Sequence, residues 1–186
     1  MKSSLILVTG GARSGKSEFA ERLLNSLCGV KGYIATAEIS DTEMAYRVEK
    51  HRVRRNPAWK TFEIPYDLST HLAAVCDVTD VVLLDCLSIY INNLLFKHAN
   101  LGIVEWEKIV AQDMTDWLTV FSATANKTMI IVTNEVGNSI VPTNKLSRSY
   151  RDLVGLANQR IAASADRVYH TVCGITNEIK EGSLRL

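Results

Sequence analysis

The chain has no excess of charge, no linker and no cysteine pattern, and each absence removes a class of protein. Its 186 residues carry 21 Lys+Arg against 20 Asp+Glu, a net charge of +1, which argues against a dedicated DNA or RNA binder while leaving room for a local basic patch. The four cysteines, Cys28, Cys76, Cys86 and Cys173, are widely scattered. They form no C-x-x-C pair and have no histidine at metal-ligand spacing, so free thiols in a reducing compartment are expected rather than a disulfide scaffold. The first apolar stretch, Leu5 to Val8, is far too short for a membrane span or a signal-peptide core, and a cytoplasmic protein is expected. No Pro-, Gly- or Ser-rich linker, repeat or low-complexity segment divides the chain, so residues 1–186 read as one domain.

What is present is a core. Hydrophobic residues make up 47%, and a folded chain of this length buries roughly 70% of the surface its unfolded form exposes. Strand-length apolar runs alternate with helical patterns. Strands are predicted at Leu5 to Thr9, Gly32 to Thr36, Trp59 to Ile64, Asp80 to Asp85, Met129 to Thr133 and Arg167 to Val172. Between them the periodicity predicts a helix from about Ser17 to near Gly29, and one opened by the capping box Ser40-Asp41-Thr42-Glu43 and ended by Asn56-Pro57. A short helix follows over Asp67 to Cys76, then long ones over roughly 104 to 124 and 146 to 161. Continuous apolar strands between helices imply an α/β fold whose mostly parallel sheet is covered on both faces.

Between the first strand and the first helix lies Gly10-Gly11-Ala12-Arg13-Ser14-Gly15-Lys16-Ser17, which fits G-x-x-x-x-G-K-[ST]. Glycines let consecutive backbone N–H groups wrap phosphates, and the helix N-terminus favours negative charge. Lys16 would reach the β/γ-phosphates and the Ser17 hydroxyl would ligate Mg²⁺. A chance Gly-rich turn is the bland alternative, and the strand-turn-helix context argues against it. Such a site also needs a carboxylate at a neighbouring strand end. Asp85, closing VVLLD, is the first candidate and Glu135 the second, although Asp85 could instead cap the following helix.

The helix from Asp41 to Arg55 carries Arg47, Lys50, His51, Arg52, Arg54 and Arg55. Arg47, His51 and Arg54 or Arg55 recur at i, i+4 and i+7 or i+8, placing an imidazole between guanidinium groups on one face. Three readings compete: a solvated basic face with an incidental histidine, a nucleic-acid patch, or a nucleophilic histidine that attacks the α-phosphate of a nucleotide held by the arginines. Nearby cations would keep the imidazole neutral for attack and stabilise a departing pyrophosphate.

Over nearly its whole length the sequence resembles the bifunctional adenosylcobinamide kinase/adenosylcobinamide-phosphate guanylyltransferase family of cobalamin biosynthesis. The resemblance rests on ILVTGGARSGKS (Ile6 to Ser17), YIATAE (Tyr33 to Glu38), Asp41 to Glu63, LLDCLS (Leu83 to Ser88), NNLLF (Asn92 to Phe96), TNEVGNSIVP (Thr133 to Pro142) and Arg151 to Val168. It implies a RecA-like P-loop domain that phosphorylates adenosylcobinamide with ATP or GTP and then transfers GMP from GTP through a guanylylated histidine, here His51. Positions matching the family's nucleotide-contacting segments are Gly10 to Ser17, Ile34-Ala35-Thr36, Arg52-Val53-Arg54-Arg55, Glu63 and Asp85. The resemblance also implies a homo-oligomer, a trimer. The chain departs from the pattern at Cys173-Gly174-Ile175-Thr176, where a proline is expected after Gly-Ile. The competing reading is a different small-molecule P-loop kinase in which His51 is structural.

Overall fold

A computed structural model describes residues 2–38 and 42–183; within the helix that follows, the side chains of residues 43, 44, 47, 50, 51 and 54 lie outside the description. Seven strands form one sheet in the order β3-β2-β4-β5-β1-β6-β7. The strands are β1 (Ser4–Gly10), β2 (Lys31–Ala35), β3 (Lys60–Glu63), β4 (Val81–Asp85), β5 (Thr128–Asn134), β6 (Arg167–Val172) and β7 (Ile175–Glu178). All neighbours are parallel except β7, which turns back antiparallel on β6. The helices are α1 (Lys16–Ser26), α2 (Thr42–Arg54), α3 (Leu68–Val78), α4 (Leu87–Lys97), α5 (Ile103–Ser122) and α6 (Lys145–Ser164).

The strands obey the two-residue period of a sheet buried on both sides. Leu5, Leu7, Val82, Leu84, Met129 and Ile131 point into one core with residues of α3, α4, α5 and α6. Ile6, Val8, Val81, Leu83, Ile130 and Val132 point into the other with Ala20 and Leu24 of α1, Tyr33 and Trp59. The mostly parallel α/β sheet expected from the sequence is therefore the one that forms. The order sets β5 between β1 and β4, so the glycine-rich loop and Asp85 emerge at the same edge two strands apart.

Two elements depart from the expectation. Helix α4 was not foreseen, because it buries Leu87, Tyr90, Ile91, Leu94 and Leu95 with no polar face for a 3.6-residue pattern to reveal. Strand β7 was also unforeseen, being four residues long with alternate exposed positions. The proposed capping box at Ser40 and Asp41 falls outside the described residues. Among the described residues all four cysteines are free thiols, and no helix is long and apolar enough to cross a membrane.

One core carboxylate carries its own pH signature. The Tyr90 hydroxyl donates to Asp113 Oδ1 at 2.9 Å while accepting from the Leu68 backbone N–H at 3.2 Å, and Asp113 Oδ2 is buried without a partner. Burial pushes the Asp113 carboxyl up to about 6, against the opposing pull of that Tyr90 bond. An acid whose pKa rises on folding favours the native state while protonated. Its contribution is complete below the unfolded value and is lost as pH climbs through about 6. Asp113→Asn removes this pH dependence. Its stability relative to the parent, measured by urea denaturation from pH 4 to pH 7.5, is expected to improve with pH by up to about 2 kcal/mol; a pH-independent difference contradicts the assignment.

Candidate active site

The loop from Gly10 to Ser17 is shaped by what presses on it. A Cβ at Gly10 would lie 2.4 Å from the Thr171 carbonyl oxygen of β6, so only glycine fits there. Gly15, with φ of +95°, is the left-handed residue that turns the loop into α1, and a Cβ on it would come within 3.2 Å of Gly174 Cα. The Gly174 N–H donates to the Ser14 carbonyl at 2.8 Å, so the β6–β7 turn braces the loop from outside. Ala12 and Arg13 are exposed at its tip. The N-cap of α1 is Gly15, which has no side chain to cap the helix, and an uncapped helix N-terminus suits an anion.

Lys16 is 8% exposed and its Nζ donates to the Gly11 carbonyl at 3.0 Å. Burial lowers its pKa, while the neighbouring Cys86 and Asp85 pull it back up. Asp85 thus stands close enough to Lys16 to be felt electrostatically. Its carboxylate does not cap a helix: α4 opens at Cys86 without a side-chain cap, and Asp85 Oδ2 accepts from the Tyr33 hydroxyl at 2.8 Å. Burial, reinforced by the Asp85 charge, holds the Tyr33 phenol above its usual range, so it remains a donor.

Thr36 fixes the next peptide. Its hydroxyl donates to the Cys86 carbonyl and accepts from the Cys86 N–H, both at 2.9 Å, while Asn93 of α4 donates to the Thr36 carbonyl at 2.7 Å. Burial pushes the Cys86 thiol up to about 11, which keeps it protonated and inert. The side chains of Ile34 and Ala35 are buried in the two cores, so these positions can meet a nucleotide through their backbone only. Glu135 has its N–H bonded to the Gly10 carbonyl at 3.0 Å, and its carboxylate folds onto the Gly137 N–H at 2.8 Å.

Beyond β2 the basic helix ends in a groove of about 390 Å³ lined by Arg52, Arg55, Asn56, Trp59, Thr61 and Glu63. Arg52 pairs with Glu63 at 3.0 Å, an exposed contact that contributes little stability and leaves both groups available. Val53 is 77% exposed. The Arg55 guanidinium lies 4.2 Å from the Tyr33 ring centroid, and the Trp59 ring stacks on Tyr33 at 6.1 Å with planes 9° apart. His51 is on α2; its side chain, like those of Arg47, Lys50 and Arg54, is outside the described set.

The structure therefore joins Lys16, Asp85 and Arg55 into one continuous neighbourhood through Tyr33, a residue the motifs did not single out. The available signal was a phenol in an apolar strand, since a buried tyrosine hydroxyl needs a partner. Gly174 was missed too, because its role depends on a hairpin that only the fold reveals.

Comparisons with known proteins extend over nearly the whole chain. The family model described as cobinamide kinase / cobinamide phosphate guanyltransferase matches residues 6–179. The bifunctional adenosylcobalamin biosynthesis protein CobU of Salmonella typhimurium is 41% identical over 181 residues, covering 95% of this chain and 99% of that one. Its Escherichia coli K12 namesake is 40% identical over 182 residues, with the same coverage, and CobP of Pseudomonas aeruginosa is 36% identical over 174 residues, covering 94% and 96%. Among solved structures the RadB recombinase covers 90% of this chain and 73% of its own at a TM-score of 0.45 and 12% identity, a distance at which the likeness carries no argument. With the phosphate loop, the strand-end carboxylate and the basic helix all inside the matched span, the chain belongs to the cobinamide kinase / cobinamide phosphate guanyltransferase family.

Proposed function

We propose that the chain phosphorylates the aminopropanol hydroxyl of adenosylcobinamide with ATP or GTP, and then transfers GMP from GTP onto that phosphate to give adenosylcobinamide-GDP and pyrophosphate. The observation that carries this reading is the family match from residue 6 to residue 179. The phosphate loop and the basic helix lie within that one span, and each serves one of the two transfers. The reading includes a cytoplasmic homo-oligomer, a trimer by the resemblance.

In the first transfer the backbone N–H groups of Gly10 to Ser17 and the Lys16 ammonium hold the β- and γ-phosphates and absorb charge as the γ-phosphoryl moves to the hydroxyl. Catalysis there comes from positioning and electrostatics. A hydroxyl and a carboxylate are hard oxygen donors of the kind Mg²⁺ accepts alongside water and phosphate oxygens, so Ser17 and Asp85 fit as its protein ligands. When bound, the ion neutralises charge on the phosphate oxygens.

In the second transfer a neutral ring nitrogen of His51 attacks the α-phosphorus of GTP. The P–N bond forms as the bond to the β-phosphate bridging oxygen breaks, and pyrophosphate leaves with its charge met by Arg52, Arg54 and Arg55. A phosphate oxygen of the phosphorylated acceptor then attacks the same phosphorus and the P–N bond breaks, restoring the imidazole. Ile34 to Thr36 and Glu63 complete the nucleotide's surroundings through backbone and carboxylate groups.

The test is the intact mass of the protein after incubation with Mg²⁺ and GTP. A GMP adduct that acid removes and alkali spares is expected, as a P–N bond requires. A protein that phosphorylates adenosylcobinamide yet never retains the α-phosphate would be an ordinary small-molecule kinase, and the second half of the proposal would fall.

A further inference from the structure

Tyr33 stands where the two proposed transfers adjoin. It is 1% exposed at the middle of β2, and its ring contacts both the Arg55 guanidinium and the Trp59 indole. A ring held in this way has no freedom to swing, so its hydroxyl is a fixed point at the sheet edge. That hydroxyl points at Asp85 Oδ2, 2.8 Å away. Neither buried strand packing nor the ring contacts need the oxygen; phenylalanine would satisfy both. A phenol oxygen in this core is costly unless it is bonded, and the bond it makes is to the carboxylate assigned to the metal.

We propose that Tyr33 is a positioning residue for the metal-nucleotide site, its hydroxyl fixing the orientation of the Asp85 carboxylate. The proposal rests on the reading of Asp85 as a Mg²⁺ ligand. A carboxylate on a strand end has two torsions of its own, and any ligand able to rotate loses affinity to its other orientations. Outer partners that remove this freedom typically matter by about 10- to 100-fold in metal affinity.

The test measures binding and needs no turnover. The affinity of the intact protein for GMP-CPP, whose α,β-methylene bridge blocks attack at the α-phosphorus and whose γ-phosphoryl has no acceptor in the calorimeter cell, is titrated against Mg²⁺ by calorimetry for the parent, Tyr33→Phe, Asp85→Asn and the double variant. Tyr33→Phe is expected to raise the Mg²⁺ midpoint about tenfold, to leave affinity without Mg²⁺ within about twofold, and to add nothing in the Asp85→Asn background, because the two act through one group. A midpoint within about twofold of the parent in Tyr33→Phe, with Asp85→Asn clearly shifted, overturns the role of Tyr33 alone. Equal loss with and without Mg²⁺, or a Tyr33→Phe effect that persists in the double variant, also overturns it by showing a general structural effect. An Asp85→Asn protein that keeps the parent midpoint removes Asp85 from the metal, and the positioning role with it.

Discussion

His51→Ala protein takes up no GMP from GTP: the acid-labile adduct disappears, and formation of adenosylcobinamide-GDP from pre-phosphorylated acceptor falls by at least about 10⁴-fold. The size follows from the kind of group removed. Loss of a nucleophile eliminates the covalent route instead of weakening one contact, and water cannot substitute because the product must retain the nucleotidyl unit. The arginines do not replace the imidazole, since a guanidinium stays protonated and offers no lone pair. Phosphorylation of adenosylcobinamide is expected to persist in the same variant, because α2 and the phosphate loop are separate elements joined to β2 and β1. Incubation with GTP labelled at the α position measures the first outcome and GTP labelled at the γ position the second. Retained α-label would remove His51 from its role.

Lys16→Ala has the complementary effect, a loss of about 10²- to 10³-fold in the rate of γ-phosphoryl transfer. The ammonium is buried beside the loop backbone at 8% exposure and held by the Gly11 carbonyl, so its charge acts where water screens it least. Alanine leaves no other cation in the loop except Arg13, which is exposed at the tip. Initial rates with adenosylcobinamide and ATP, at nucleotide concentrations raised until binding is saturated, separate the loss in rate from any loss in affinity. Full activity in this variant would overturn the phosphate-loop assignment. Together the two substitutions divide the enzyme, one silencing each transfer.

How much of this could be read from residues alone depended on whether the signal was local. The loop Gly10 to Ser17 was legible because strand, turn and helix are consecutive, and β4 because VVLLD delivers its acid at a run's end. Long helices α5 and α6 were legible from one buried stripe each, such as Trp106, Val110, Trp117 and Phe121. Helix α4 was not, because its buried residues leave no polar stripe to mark the period. Strand order was equally hidden: that β5 separates β1 from β4 depends on one pairing across 124 residues (Ser4 with Thr128) and another across 47 (Val81 with Thr128). The link from Asp85 through Tyr33 to Arg55 combines three elements, and no spacing within any of them announces it.

The bracing of the loop by the β6–β7 turn has a consequence for synthesis. Among the described residues strand β1 pairs with β5 and β6, and the Ser14 carbonyl is held by the N–H of Gly174. The triphosphate-gripping segment is made well ahead of its scaffold, since the strands that flank β1 follow it by 124 residues (Ser4 to Thr128) and 161 residues (Ile6 to Arg167). Contacts so distant in sequence close late. Nucleotide capture therefore becomes possible only once β5, β6 and the turn at Gly174 have been made, and polypeptides that stop short of them sequester no GTP.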